Sequence, residues 1–420
     1  MKRLRILACT FICCPPGKPG FTGGEDVLGW NLLRQLARFH DVWALTRAEV
    51  RPVIEETLAE EPIHNLRFIY VGMPGWLRPL LKIQGGHQFY YHLWQVKAYF
   101  AARKLHKEID FQLFHHITYA NDWGASFIGA QLPIPYVRGP GGGAHRTPQG
   151  LGQEYTVGGR LWERVRTLGQ WIFRHDPYFL KGQSRAGAIL VCNREAKANI
   201  PSKWSDKVHL FPVNGISTHD LALTKQTQTS ANQFRVLSAG SLIRVKGFSL
   251  AIKAFKEFAE KHSDAEYTII GSGPEEHRLR NLVQRYKLDG RVHFLGAMGR
   301  DQLLCDMAAC DVFLFPSLRD GGGAVVVEAM SAGKPVVCLD TGGPGMHITE
   351  EYGVKITPIS SYQAVHDLAD ALERLYLDEE LRLKLGAAAR QKAEQDYHWD
   401  RLGERLMEIY TQVIPTKSSH

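Results

Sequence analysis

The sequence predicts an α/β protein of two doubly wound domains facing a central cleft, and three observations carry that prediction. Short apolar, β-branched runs alternate with amphipathic stretches from end to end. The runs are apolar on both faces, as strands of a parallel sheet covered on both sides must be. A polar stretch near the middle divides the 420 residues into halves, each long enough for its own core.

Taken in order, the runs of the first half are 4–9, 42–46, 67–71, 111–117, 134–137, 188–192 and 208–213. Those of the second half are 234–239, 267–270, 292–295, 312–315 and 335–339. Helical segments separate them, which is doubly wound architecture with ligands expected at the carboxyl ends of the strands. The break falls at 214–233, where Asn214-Gly215 is followed by a stretch rich in Thr, Ser, Gln and Asn that reads as a linker. This sets an N-terminal domain at 1–215 and a C-terminal domain at 216–396, and Trp399–Val413 reads as a final amphipathic helix.

Composition narrows the class. Hydrophobic residues at 44% and charged residues at 22% exclude a disordered chain and argue against a coiled coil. No run approaches the roughly 20 apolar residues of a membrane span. Met1-Lys-Arg-Leu-Arg and the apolar 6–14 imitate a leader, but the run meets Pro15-Pro16-Gly17 without a small-x-small cleavage site. A buried first strand is the better reading, and a cytoplasmic protein is expected. Seven cysteines are too few and too irregular for a disulfide framework or a zinc site. Lys+Arg 51 against Asp+Glu 43 gives +8, but the cations are spread along the chain without a basic tail, which argues against nucleic acid.

The most informative stretch is Asp320-Gly321-Gly322-Gly323-Ala324-Val325, leading to Glu328. Its glycines let backbone N–H groups approach a ligand, and a helix opening at Ala324 offers a phosphate or diphosphate its N-terminus. Asp320 and Glu328 bracket that turn, and a carboxylate can accept two hydrogen bonds from the adjacent hydroxyls of a sugar or ribose. At another strand-to-helix junction, Arg244 and Lys246 are two cations able to neutralise a diphosphate without a metal. Gly271-Ser-Gly-Pro274 is a further strand-end turn. In the first half, Gly23-Gly24 precedes a helix and 138–145 is a second glycine loop. His115 and His116 close a strand, so their rings point in opposite directions; one could enter the cleft, although a structural role suits either alone.

Two aromatic, basic segments stand apart: 75–107, and 161–173, whose Leu161, Trp162, Val165, Leu168, Trp171 and Ile172 share one helical face. They could line the cleft, dip into an anionic membrane surface, or simply pack on the N-terminal sheet.

Together these motifs resemble a family 4 glycosyltransferase of the GT-B fold, built from two Rossmann-like domains. The likeness is strongest over 236–343, through Lys246-Gly247, Gly271-x-Gly-Pro, Val292-His-Phe-Leu-Gly296 and Glu328-Ala-Met-Ser-Ala-Gly-Lys-Pro-Val-Val337. The spacing of Asp320 and Glu328 is that of the family's paired acids. The resemblance implies a retaining, metal-independent transferase needing no cofactor beyond a nucleotide diphosphate sugar as donor. Glu328 would bind the ribose and Asp320 the donor sugar, with Arg244, Lys246 and the N–H groups of Gly322, Gly323, Ala324 and Val325 on the diphosphate. A carbohydrate or lipid-linked acceptor would lie near Gly23, Gly24 and His116, and the segment 397–420 would cross back onto the N-terminal domain. The sequence departs from the family at Asp320, where Glu is usual, and at Ser241, where an Arg is usual and for which Arg244 would substitute. A sugar-nucleotide epimerase and a non-catalytic binding or scaffold protein of the same fold are the alternatives.

Overall fold

The structure, a computed structural model, describes residues 3–18, 24–83, 85–155, 157–225 and 233–414. Among them are thirteen strands: β1 (Arg5–Thr10), β2 (Asp41–Arg47), β3 (Leu66–Val71), β4 (Leu113–Thr118), β5 (Tyr136–Gly141), β6 (Ala188–Val191), β7 (Val208–Leu210), β8 (Phe234–Ala239), β9 (Ala265–Ile270), β10 (Val292–Gly296), β11 (Val312–Phe315), β12 (Val336–Leu339) and β13 (Gly353–Ile356). They form one sheet in the order β3-β2-β1-β4-β5-β6-β7 and another in the order β10-β9-β8-β11-β12-β13. Strand pairing is parallel throughout both, as in β1 with β4, where Cys9 lies opposite His116. Twelve strands lie on the apolar runs read from the sequence. The thirteenth, β13, escaped because its four residues, Gly-Val-Lys-Ile, form an edge with a lysine in the middle.

The chain divides into two compact units, the first comprising Met1–Ala144, Val165–Val213 and Trp399–His420, the second His145–Arg164 and Asn214–His398. Each has its own apolar layers. In the first, one cluster contains Phe11, Trp94 and Phe114, and another contains Ile6, Leu33 and Leu113 with Leu402, Leu406 and Tyr410 of the last helix. In the second, Phe248, Phe255 and Tyr267 lie in one cluster and Phe313, Val327 and Met330 in the other.

Two expectations about organisation are corrected. Residues 145–164, assigned by sequence to the N-terminal domain, group with the second unit. Leu151 is fully buried there in the core of Phe248 and Phe255. Ser249 Oγ donates to Glu154 at 2.9 Å, and Lys253 stands 3.3 Å from the same carboxylate. These partners lie about a hundred residues along the chain, where no local pattern shows them. The expected linker is likewise ordered from its start. Ser217 and Asp220 form a capping box at the head of the helix Thr218–Leu223, and Ile216 bridges to His398. Residues 226–232 of that stretch lie outside the described residues.

The helix Val157–Arg174 is oriented against expectation for a packed element. Its polar side is the anchored one: Arg166 Nη1 and Gln170 Nε2 both donate to the Gly143 carbonyl, at 2.9 and 3.1 Å. Its apolar side, including Val165, Leu168, Trp171 and Ile172, is exposed. Plain packing of these residues on the N-terminal sheet is therefore excluded.

His115 and His116 point to opposite faces of the first sheet, as strand geometry requires, but both are fully enclosed. His115 lies between Gly139 O and Tyr410 Oη, each 2.6 Å away, and His116 Nε2 is 2.7 Å from Tyr91 Oη. Burial lowers their pKa values to about 4 and about 3, so both rings are neutral. Tyr410→Phe should cost about 1–3 kcal/mol by orphaning a buried ring nitrogen. Urea unfolding followed by fluorescence reads this, and an unchanged midpoint would show that the bond contributes nothing.

Candidate active site

The carboxyl ends of β8, β9 and β11 open into turns that interlock through their backbones. Leu242 N donates to Ser272 O and Glu275 N to Leu242 O, both at 2.9 Å. The turn 240–247 is stitched in the same way to the loop after β11, because Val245 O accepts from Leu318 N at 2.8 Å and from Ser317 Oγ at 3.1 Å. Gly247 makes the closest approach. Its φ is +72°, and a Cβ there would lie 1.9 Å from Pro316 O, so a side chain would force the two loops apart.

This stitching delivers Lys246 to Asp320. Lys246 Nζ ion-pairs with Asp320 Oδ2, while Asp320 Oδ1 accepts the N–H groups of Gly322 at 3.1 Å and Gly323 at 2.8 Å. Burial alone would raise the Asp320 pKa, but Lys246 and the two N–H groups outweigh it and hold the carboxyl below its ordinary value. Gly323, at φ +62°, then caps the helix Ala324–Ser331. The N–H groups of Ala324 and Val325 belong to that helix's first turn, which has no intrahelical acceptors and carries the positive end of the helix dipole.

The loop is held from behind as well. The Gly322 carbonyl accepts Asn214 Nδ2 at 2.8 Å and His347 Nε2 at 2.7 Å. A carbonyl can only accept, so His347 carries its proton on Nε2, leaving Nδ1 to take the Tyr397 hydroxyl at 2.8 Å. Burial lowers the pKa of this histidine and keeps it neutral. Gly343 N donates to Asp320 O at 2.9 Å, and a Cβ on Gly342 would fall 2.0 Å from that same oxygen.

Glu328 lies further along the same helix, and burial raises its pKa despite a neighbouring cation. That cation is Arg300, whose Nε donates to Glu328 Oε1 at 3.0 Å and whose Nη1 pairs with Asp220. Hydroxyls arriving at Glu328 would share its oxygens with Arg300. Arg244 fares differently from Lys246. Its Nη2 donates to Glu275 Oε1 at 3.0 Å and its Nη1 to Glu154 O at 3.2 Å, so its charge is already committed. The structure thus brings Lys246, from its own turn, to the loop and helix that carry Asp320, Gly322, Gly323, Ala324, Val325 and Glu328, while Arg244 is engaged by a separate acid. What the gathered groups offer is one cation, a run of N–H donors and two carboxylates, a set suited to a phosphate and a polyhydroxylated ring.

The first unit offers less of what was expected. Gly23 lies outside the described residues. Gly24 begins the helix Gly24–Phe39, and a Cβ there would meet nothing within 4 Å, so packing does not demand glycine. His116 is enclosed, its ring beside those of Tyr91 and Phe114 and its Nε2 2.7 Å from the Tyr91 hydroxyl. Beside these residues Glu25, next in sequence to the glycine pair, accepts Tyr119 N at 2.6 Å, and burial raises its pKa to about 7.

Six residues of the second-unit site also escaped the sequence. His347 and its preceding Gly342-Gly343 had a signal, a third glycine-rich strand end after β12. Asn214 was noticed only as part of a turn. Arg300 and Asp220 had none, since nothing local links them to Glu328.

Residues 222–392 match the family "Glycosyl transferases group 1". The chain is 31% identical over 175 residues to the GDP-mannose-dependent monoacylated alpha-(1-6)-phosphatidylinositol monomannoside mannosyltransferase of Corynebacterium glutamicum, covering 40% of this chain and 44% of that one. It is 32% identical over 191 residues to the D-inositol 3-phosphate glycosyltransferase of Pseudarthrobacter chlorophenolicus, covering 44% of each. The chain therefore spans less than half the length of these relatives. Among solved structures, Anabaena HepE in complex with UDP superposes with a TM-score of 0.62 at 18% identity, over 97% of this chain and 99% of that one. The fold is GT-B, with two Rossmann-like units, and the match to glycosyl transferases group 1 falls within the second unit.

The pinned acid has a consequence in acid. Asp320 titrates below its unfolded value of about 4, so its stabilisation is complete above that pH and is lost as pH falls through the lower folded value. Asp320→Asn should flatten the acid limb of thermal stability below about pH 4. An unchanged limb would assign the acid sensitivity to other carboxylates.

Proposed function

We propose that this protein is a retaining glycosyltransferase that moves a sugar from a nucleotide diphosphate sugar to an acceptor hydroxyl, without a metal ion. The observation that carries this is the assembly of Lys246, Asp320 and the helix N-terminus at Ala324 in the domain that matches glycosyl transferases group 1. Lys246 and the N–H groups of Ala324 and Val325 would take the diphosphate, those of Gly322 and Gly323 being held by Asp320, and these preorganised charges would stabilise the departing nucleotide. Glu328 would accept the ribose hydroxyls in exchange with Arg300. Asp320, already oriented by two N–H groups, would receive a hydroxyl of the donor sugar. Arg244, paired with Glu275, would join the diphosphate only by leaving that acid.

The acceptor would be lipid-linked, in glycolipid or cell-envelope synthesis. The Corynebacterium relative, named for its action on a phosphatidylinositol mannoside, supports this reading. The protein would act in the cytoplasm at the inner face of the membrane, with the acceptor bound by the first unit near Gly23 and Gly24. No helix among the described residues is long and apolar enough to cross a bilayer, so contact with the membrane would be peripheral.

Thermal unfolding with UDP, GDP and ADP, each near a hundred times its Kd, should show one base raising stability by about 2.7 kcal/mol. Glu328→Ala and Lys246→Ala should abolish both that shift and sugar transfer while the protein stays folded. Full activity in either variant would sink the proposed donor site.

A further inference from the structure

The helix Val157–Arg174 is built inside out, and that inversion calls for a partner. Arg166 and Gln170 tie its polar side to Gly143 O, and Arg174 reaches toward buried Asp122 at 3.8 Å. The opposite side carries Val165, Leu168, Trp171 and Ile172, spaced at helical intervals and between 53% and 59% exposed. The stripe continues up the helix through Leu161 and Val157. Rotating the helix to bury these side chains would strand its anchored polar groups, so folding leaves the apolar face outward.

A second exposed stripe lies on a helix that touches this one. Phe173 stacks on His92 of the helix Gly86–Ile109, with ring centroids 5.4 Å apart. On that helix Phe89, Val96 and Phe100 lie on one side and are exposed, Phe100 at 60%. Two touching helices that each expose a row of apolar side chains are more than scattered exposure explains.

Charge identifies what covers it. The helices Gly86–Ile109, Val157–Arg174 and Pro177–Arg185 expose eight of their ten Lys and Arg, all but the anchored Arg166 and Arg174, against one exposed acid, Glu108. Arg160 and Arg164 are exposed beside the apolar stripe of their helix. A second copy of this chain would bring the same cations face to face. A bilayer with anionic headgroups accepts both features at once, apolar side chains and tryptophan into the interface, arginine and lysine onto the phosphates.

We infer that the faces of the helices Val157–Arg174 and Gly86–Ile109 form a docking surface for an anionic lipid bilayer, with Leu168, Trp171 and Ile172 entering the headgroup region. This deepens the proposed transfer to a lipid-linked acceptor and rests on that reading for its purpose, though not for its geometry.

The test is co-sedimentation of the full chain with phosphatidylcholine vesicles, with and without phosphatidylglycerol. Binding should require the anionic lipid, fall as salt is added, and drop at least about tenfold in L168E/W171E. Both positions are exposed, so the variant's unfolding midpoint should match the wild type. Absence of sedimentation on anionic vesicles at low salt, or equal binding by the variant, would overturn the inference. A dimer seen by light scattering that the variant dissolves would overturn it too, assigning the face to a second copy. The assay uses neither donor nor acceptor, so its failure leaves the proposed transfer standing. Loss of transfer alone leaves the docking surface standing.

Discussion

The second unit's site depends on one buried carboxylate. Asp320 holds Lys246 on one oxygen and two glycine N–H groups on the other, while its own backbone carbonyl is gripped by Gly343. Side chains this enclosed are costly to desolvate, and the pair is stable because the remaining lone pairs are filled. Breaking it from one side would leave an uncompensated charge among loops that tolerate no side chain at Gly247 or Gly342. The cation, the glycine turn and the helix N-terminus are therefore one mechanical object. Glu328 belongs to it only through the helix, and is separately balanced by Arg300 and Asp220.

The same logic of satisfied polar groups governs the first unit, with an opposite outcome at the surface. The strand histidines lie inside it because Tyr91, Tyr410 and Gly139 offer them partners there, and desolvation keeps them uncharged. Gly143 O recruits Arg166 and Gln170, and that choice turns the helix's apolar residues outward. At Gly143 a carbonyl decides where two long side chains go, and hydrophobicity follows. A helical wheel contains the amphipathic pattern but not which side is claimed, because the claimant is a backbone oxygen from another segment.

This marks what was legible in the sequence. Parallel strands covered on both faces announce themselves as uninterrupted apolar runs, and twelve of the thirteen strands fall on such runs. The loop from Asp320 to Glu328 was legible because its chemistry is contiguous, with the glycines, the helix start and both acids within nine residues. Residues that act across long separations were not. Arg300 meets Glu328 over 28 residues and Asp220 over 80, and Arg244 finds Glu275 on the neighbouring turn. Proximity along the chain made Arg244 and Lys246 look like a pair, whereas a turn of 3-10 helix separates their commitments to different acids.

The contrast between those two cations bears on how an anion could be received. Lys246 is shared with an acid that already has two N–H donors, so an arriving phosphate could draw on the ammonium while Asp320 keeps its backbone bonds. Arg244 has no such slack, since Glu275 is itself held below its ordinary pKa by Arg244 and Arg278 against the cost of burial, and would be left with one cation fewer. Charge at the turn is thus graded: the lysine is available at little structural cost, the arginine only by dismantling a contact between neighbouring strand ends. A site organised in this way would receive an anion through its backbone and one lysine, with Asp320, paired to that lysine, beside it.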